Sequence, residues 1–234
     1  MDTETARSVL YAITAIGFVV WLVGAQFVGA TIRSERNASR QTMNDFGLEA
    51  APSGRLLVGQ IEVEGQPAAL SAKATSALVK SGQGPLGPVK ILSKTDKRLV
   101  FEGAGQNALG QPGWQLVGRG EMQFTVAGAS RTAIAYAVEL SSGRWLLTCA
   151  LVFNALGLAA LLVGFGLMLT FVLPNPNPAV RAQTAQMVQA IHFLWPPFLF
   201  VALYRQGRRA ARNAFEVFVH NLPYCGEFRE QRVG

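Results

Sequence analysis

Acidic and basic side chains make up only 15% of this sequence, against about 25% in an average soluble domain, and three long stretches contain none. No such residue falls between Val9 and Ile32, between Trp145 and Leu173, or between Ala182 and Tyr204. Half of the residues are hydrophobic, so the composition points to a membrane protein. Histidine is nearly absent, with 2 in the whole chain and none between positions 55 and 143, where cysteine is missing too. That segment therefore lacks the commonest bases, nucleophiles and metal ligands. The 2 cysteines, Cys149 and Cys225, lie in an apolar stretch and in a basic tail without CxxC spacing, which argues against a disulfide framework or a metal site. The formal net charge is +7, but the arginines crowd beside apolar runs rather than interleaving with aromatics. Nucleic acid is thereby disfavoured as a partner, and anionic lipid favoured.

At about 1.5 Å per residue, a helix from Val9 to Ile32 is roughly 36 Å long, enough to cross a hydrocarbon core of about 30 Å. A cleaved signal peptide is the rival reading, disfavoured because "MDTETAR" is not positively charged and the apolar stretch is too long. Trp145–Leu173 reads as a second span, with Gly157, Gly164 and Gly166 permitting close helix approach, and "PNPNP" at 174–178 ends it. Residues 182–204 read as a third span kinked near mid-membrane by Pro196 and Pro197, with a re-entrant hairpin as the alternative.

Arg205, Arg208, Arg209 and Arg212 crowd one end of that third stretch, whereas the loop before it carries only Arg181. By the positive-inside rule the C-terminus and the region 33–144 are cytoplasmic, in an inner membrane of bacterial type, and the N-terminus and the 174–181 loop lie outside. Residues 33–54 are polar and read as a linker or a helical extension.

From residue 55 the periodicity changes. "LLVGQIEVEG" alternates apolar and polar positions as a half-buried strand does, and "QPAALSAKATSALVKSG" follows as a helix beginning near Pro67 and stopping at Gly82. "VKILSK" and "RLVFEG" flank the turn "TDK" as a hairpin, and "WQLVGRGEMQFTVAGA" and "RTAIAYAVEL" alternate again. Residues 55–143 thus form a small α+β domain, an antiparallel sheet packed on one helix. The glycine-rich "GAGQNALGQPG" links strands rather than opening a helix, so it reads as a loop and not a phosphate cradle. The acids Glu62, Glu64, Asp96, Glu102, Glu121 and Glu139 fall mostly opposite apolar strand positions, on a solvated face.

The opening "GRLLVGQIEVEGQPAAL", a strand leading straight into a proline-containing helix and followed by an antiparallel meander and a long helix, resembles the START-like (SRPBCC, polyketide-cyclase-like) helix-grip proteins. The resemblance covers residues 55 to about 143. It implies a curved sheet around an apolar ligand, with Ile61, Phe101, Phe124 and Tyr136 as the lining. In this order of elements the family's long C-terminal helix falls on the second apolar stretch. No catalytic residue and no cofactor carries over.

Each apolar stretch holds a notable polar residue: Gln26, Asn154, and His192 with Gln189 one turn before it. Counted from the cytoplasmic ends, Gln26 and Asn154 share the inner half and pair, while His192 contacts Gln189; these read as hydrogen-bonding contacts between helices or as a proton or ligand site. The lack of any acid in the three stretches favours the contacts. The tail 205–234 begins with an amphipathic helix whose apolar stripe is Ala211, Ala214, Phe215, Phe218, Val219 and Leu222. That stripe suits the inner leaflet, where Arg205, Arg208, Arg209 and Arg212 attract anionic lipid, or a protein surface. The expected protein is a non-enzymatic membrane accessory or scaffold, with a protein partner or a second copy of itself. The alternative is a membrane-tethered module that binds a lipid or other apolar ligand.

Overall fold

The computed structural model describes residues 1–46, 56–80, 89–103, 117–140 and 144–225. The glycine-rich loop 103–113, apart from its first residue, and the helix stop at Gly82 lie outside them. The chain divides into two units: Met1–Arg33 with Trp145–Tyr204, and Ser34–Arg144 with Arg205–Gly234.

The α+β unit is built on five strands: β1 (Leu56–Glu64), β2 (Val89–Lys94), β3 (Arg98–Gly103), β4 (Val117–Val126) and β5 (Arg131–Leu140). They form one antiparallel sheet in the order β1-β5-β4-β3-β2. Alternation places Leu57 and Val63 of β1, Leu99 and Phe101 of β3, Met122 and Phe124 of β4, and Ile134, Tyr136 and Val138 of β5 in one apolar core. The opposite face mixes polar residues with buried Val100, Ala133, Ala135 and Ala137, and Glu121, expected on a solvated face, is buried there and accepts two hydrogen bonds from Arg98, at 2.7 and 3.0 Å. Gly65 turns the chain out of β1 at φ 131°, a conformation that side chains bearing a Cβ rarely adopt. Its carbonyl accepts from the Thr132 hydroxyl at 2.6 Å. Helix α2 (Pro67–Lys80) begins directly after it, with proline at the first position, where its missing N–H costs nothing.

The sequence predicts one helix on this sheet, and the structure has two. Leu70, Ala74 and Leu78 of α2 reach the core, and so do Phe215, Val219 and Leu222 from the C-terminal part of the chain. The described residues 205–225 are therefore not a separate tail. Their apolar stripe is the lid of the α+β core, because an i, i+4, i+7 row of Phe, Val and Leu gains more from burial against a sheet than from standing alone.

In the other unit, α1 (Thr3–Phe46) and α3 (Arg144–Leu167) are the long apolar helices, α3 continuing as a π turn over Met168–Val172. The region read as a linker is helical through Phe46, and residues 47–54 lie outside the described part. Among the described residues, two helices are long and apolar enough to cross a membrane: Thr3–Asn37, and Trp145–Val172 including the π turn. The third stretch is not such a helix. After a single turn, α4 (Pro178–Arg181), the chain winds as a 3-10 helix over Ala182–Phe193, breaks, and resumes as α5 (Pro196–His220). Pro196 and Pro197 therefore open a helix rather than kink one. Both fit a first turn, where no intrahelical N–H is required, and neither fits an interior.

This broken segment still runs beside α1 and α3. Met187 packs with Ala6, Leu10, Leu161 and Leu173 near one end, and Val201 and Tyr204 with Val28, Leu147 and Ala150 near the other. Arg181 closes the loop before it, donating to the carbonyls of Asn175 at 3.0 Å and Met1 at 3.2 Å.

Candidate functional site

The best candidate for a site in the α+β unit is the inner face of its sheet. Phe101, Phe124 and Tyr136 are fully buried there, and Ile61 is half-buried at the margin of the same cluster. Two strand glycines create the space for the rings. Gly59 lies opposite Tyr136 and Gly120 opposite Phe101 in register, and a Cβ on either glycine would collide with the ring facing it. An isolated strand glycine signals a close approach of this kind, and sequence reasoning did not draw that conclusion from either one. The rings fold down over the glycines and meet the helices: Tyr136 lies against Phe215 with centroids 4.6 Å apart and planes tilted by 59°. The four residues proposed as a ligand lining thus share a core with α2 and α5.

One polar atom is buried in this apolar setting. Among the described residues, the Tyr136 hydroxyl has no partner at hydrogen-bonding geometry. Its pKa is pushed up to about 12, first by burial, then by the negative charge of Glu216 and the approach of that carboxylate towards the hydroxyl, against a lowering pull from Arg212. A buried hydroxyl without a partner costs about 1–3 kcal/mol, so Tyr136→Phe should leave the unit as stable or raise its stability by about 1 kcal/mol. The wild type should also lose stability as pH rises from its ordinary value of 10.0 towards about 12, because the unfolded phenol ionises first. Denaturant titrations of both proteins at pH 8 and pH 11 check both statements.

At the edge of the unit, Arg208 of the basic cluster has a structural role. It pairs with Glu35 at 2.8 Å and donates to the Leu56 carbonyl at 2.9 Å, joining α5, α1 and β1. Arg205, Arg209 and Arg212 are exposed, Phe215 is buried and Phe218 half-buried. Lys73 of α2 donates to the Pro223 carbonyl and fixes the end of the C-terminal segment. Among the described residues, no group of three or more His, Cys, Asp or Glu side chains is placed to hold a metal ion.

In the helical unit, Asn154 approaches Trp21 rather than Gln26. The Trp21 indole donates to the Asn154 carbonyl at 3.1 Å, and the Asn154 amide donates to the Trp21 carbonyl at 3.5 Å. Gly24 leaves the room for this approach, since a Cβ there would stand 3.2 Å from the Asn154 amide nitrogen. Gln26, Gln189 and His192 are exposed on the surface of the unit.

No family model matches the chain, and no curated protein matches it. Among solved structures, the Zhui aromatase/cyclase from Streptomyces sp. R1128 is similar at 12% identity, with 71% of this chain and 94% of that one covered and a TM-score of 0.24. At that score the likeness carries no argument about fold or activity.

Proposed function

We propose that the chain is an integral membrane protein without catalytic activity, anchored by α1 and α3, which presents the α+β unit on the cytoplasmic side as an accessory or scaffold subunit. One observation carries the membrane part: the long helices wear their apolar residues outward. Only 17% and 22% of their most apolar 18-residue stretches are buried. Ile16, Val19 and Val23 of α1 and Leu151, Leu162 and Val163 of α3 are at least half exposed, where the core helices of a soluble protein would be covered. The scaffold part is supported by the inner sheet face, where the large side chains that would line a ligand site lie in one cluster with side chains of both helices.

A membrane-tethered START-like module binding an apolar ligand is the second reading. The unpartnered Tyr136 hydroxyl favours it, since such a group could orient one polar end of a ligand.

Orientation is tested by cysteine accessibility in a background lacking Cys149 and Cys225. A cysteine at Asp96 or Asn213, both exposed, should resist an impermeant reagent in intact cells, and one at Asn177 should react. Labelling of all three positions would overturn the orientation.

A further inference from the structure

A 12-residue 3-10 helix is unusual, because such runs rarely exceed three or four residues. Its sequence matches its geometry. Gln183, Gln186, Gln189 and His192 recur every third position, and a 3-10 helix has about three residues per turn and a rise of about 2.0 Å per residue. The four therefore stack in one row with a spacing of about 6 Å. In an α-helix the same positions would rotate by about 60° per step and end on opposite sides. All four are exposed, whereas Thr184 and Met187, on a neighbouring row, are buried.

This row lies at the depth of the apolar helices. Met187 packs with Leu161 of α3 and touches the space above Gly164, while Leu194 does the same at Gly17 and Gly157. On the membrane reading, on which this inference rests, the row runs inward from the loop end, where Gln183 lies close to Arg181, and its inner members Gln189 and His192, next to Leu194 at Gly17 and Gly157, face hydrocarbon. Polar side chains at that depth face the interior of a bundle or one another, so the row requires a polar cover.

The geometry points to a second copy of this chain as that cover, with the Gln183–Gln186–Gln189–His192 rows of two protomers paired in the membrane. A glutamine carboxamide carries both donors and an acceptor, so the row complements itself, and a twofold contact satisfies both copies with one surface. The exposed Ala185 and Val188 of the adjoining row remain available to lipid.

The test uses the full chain in native membranes without Cys149 and Cys225. Single cysteines at positions 183 to 189 are oxidised with copper phenanthroline. Disulfide-linked dimers should peak at 183, 186 and 189 and be weak at 185 and 188. The triple variant Gln183→Leu, Gln186→Leu, Gln189→Leu, followed by energy transfer between labelled protomers in vesicles, should weaken association on the order of tenfold or more. Retention of the protein after alkaline carbonate extraction, without a three-residue period in the cross-links, would overturn the seam alone. Reaction of the whole row with a water-soluble maleimide would do the same, because it would show a wet groove. Release by carbonate would overturn the membrane reading and the seam together.

Discussion

Phe124→Ala should destabilise the α+β unit by about 3–5 kcal/mol. The ring is fully buried on β4 and belongs to the cluster that also contains Leu70 and Leu78 of α2. Its removal forfeits both the transfer free energy of the ring and the contacts of the atoms left around the void. Pulse proteolysis of the full chain in micelles, following cleavage within residues 56–140, measures the loss. A wall of a ligand cavity behaves differently, because its ring already lacks partners on one side. In that case the loss should stay near 1 kcal/mol or below and be accompanied by release of an apolar molecule.

Phe215→Ala should have an effect of similar size, about 3–5 kcal/mol, although residue 215 lies far along the chain from the sheet. The side chain is fully buried and lies against Tyr136 at 4.6 Å. The neighbouring Phe218→Ala should cost clearly less, since its ring is only half-buried. An amphipathic helix resting on a lipid surface would give the opposite pattern: both substitutions would weaken membrane attachment, and the stability of the sheet would change by less than about 0.5 kcal/mol. The same proteolysis assay separates the two.

These residues also show where sequence reasoning reaches its limit. Ile134, Tyr136 and Val138 announce a strand face by a period of two, which any half-buried strand must display; β1, β4 and β5 appear where that alternation places them, and β2 and β3 where the turn between them does. The stripe of Phe215, Val219 and Leu222 likewise announces an amphipathic helix. A stripe says that a face must be covered but not by what, and lipid and sheet satisfy the same periodicity. Residues 182–204 failed for a related reason. Length and lack of charge are properties of composition, and a 3-10 segment followed by a fresh helix at Pro196 has the same composition as one kinked helix. The glutamine spacing was the available signal, since a row at every third residue is coherent in a 3-10 helix and not in an α-helix. Gln26 and Asn154 were paired from depth alone. Depth does not fix which way a side chain turns, and the room beside Gly24 directs Asn154 to Trp21.

The membrane anchor and the closed core meet in one experiment. Membranes containing the full chain are loaded with a phospholipid that carries a photoactivatable acyl chain, illuminated, and the adducts located by peptide mass spectrometry. Adducts should form on the outward residues of α1 and α3, such as Val19, Val23, Leu162 and Val163, and none on Phe101, Phe124 or Tyr136. Adducts concentrated on those three inner-face residues, or an absence of adducts from both long helices, would contradict that arrangement.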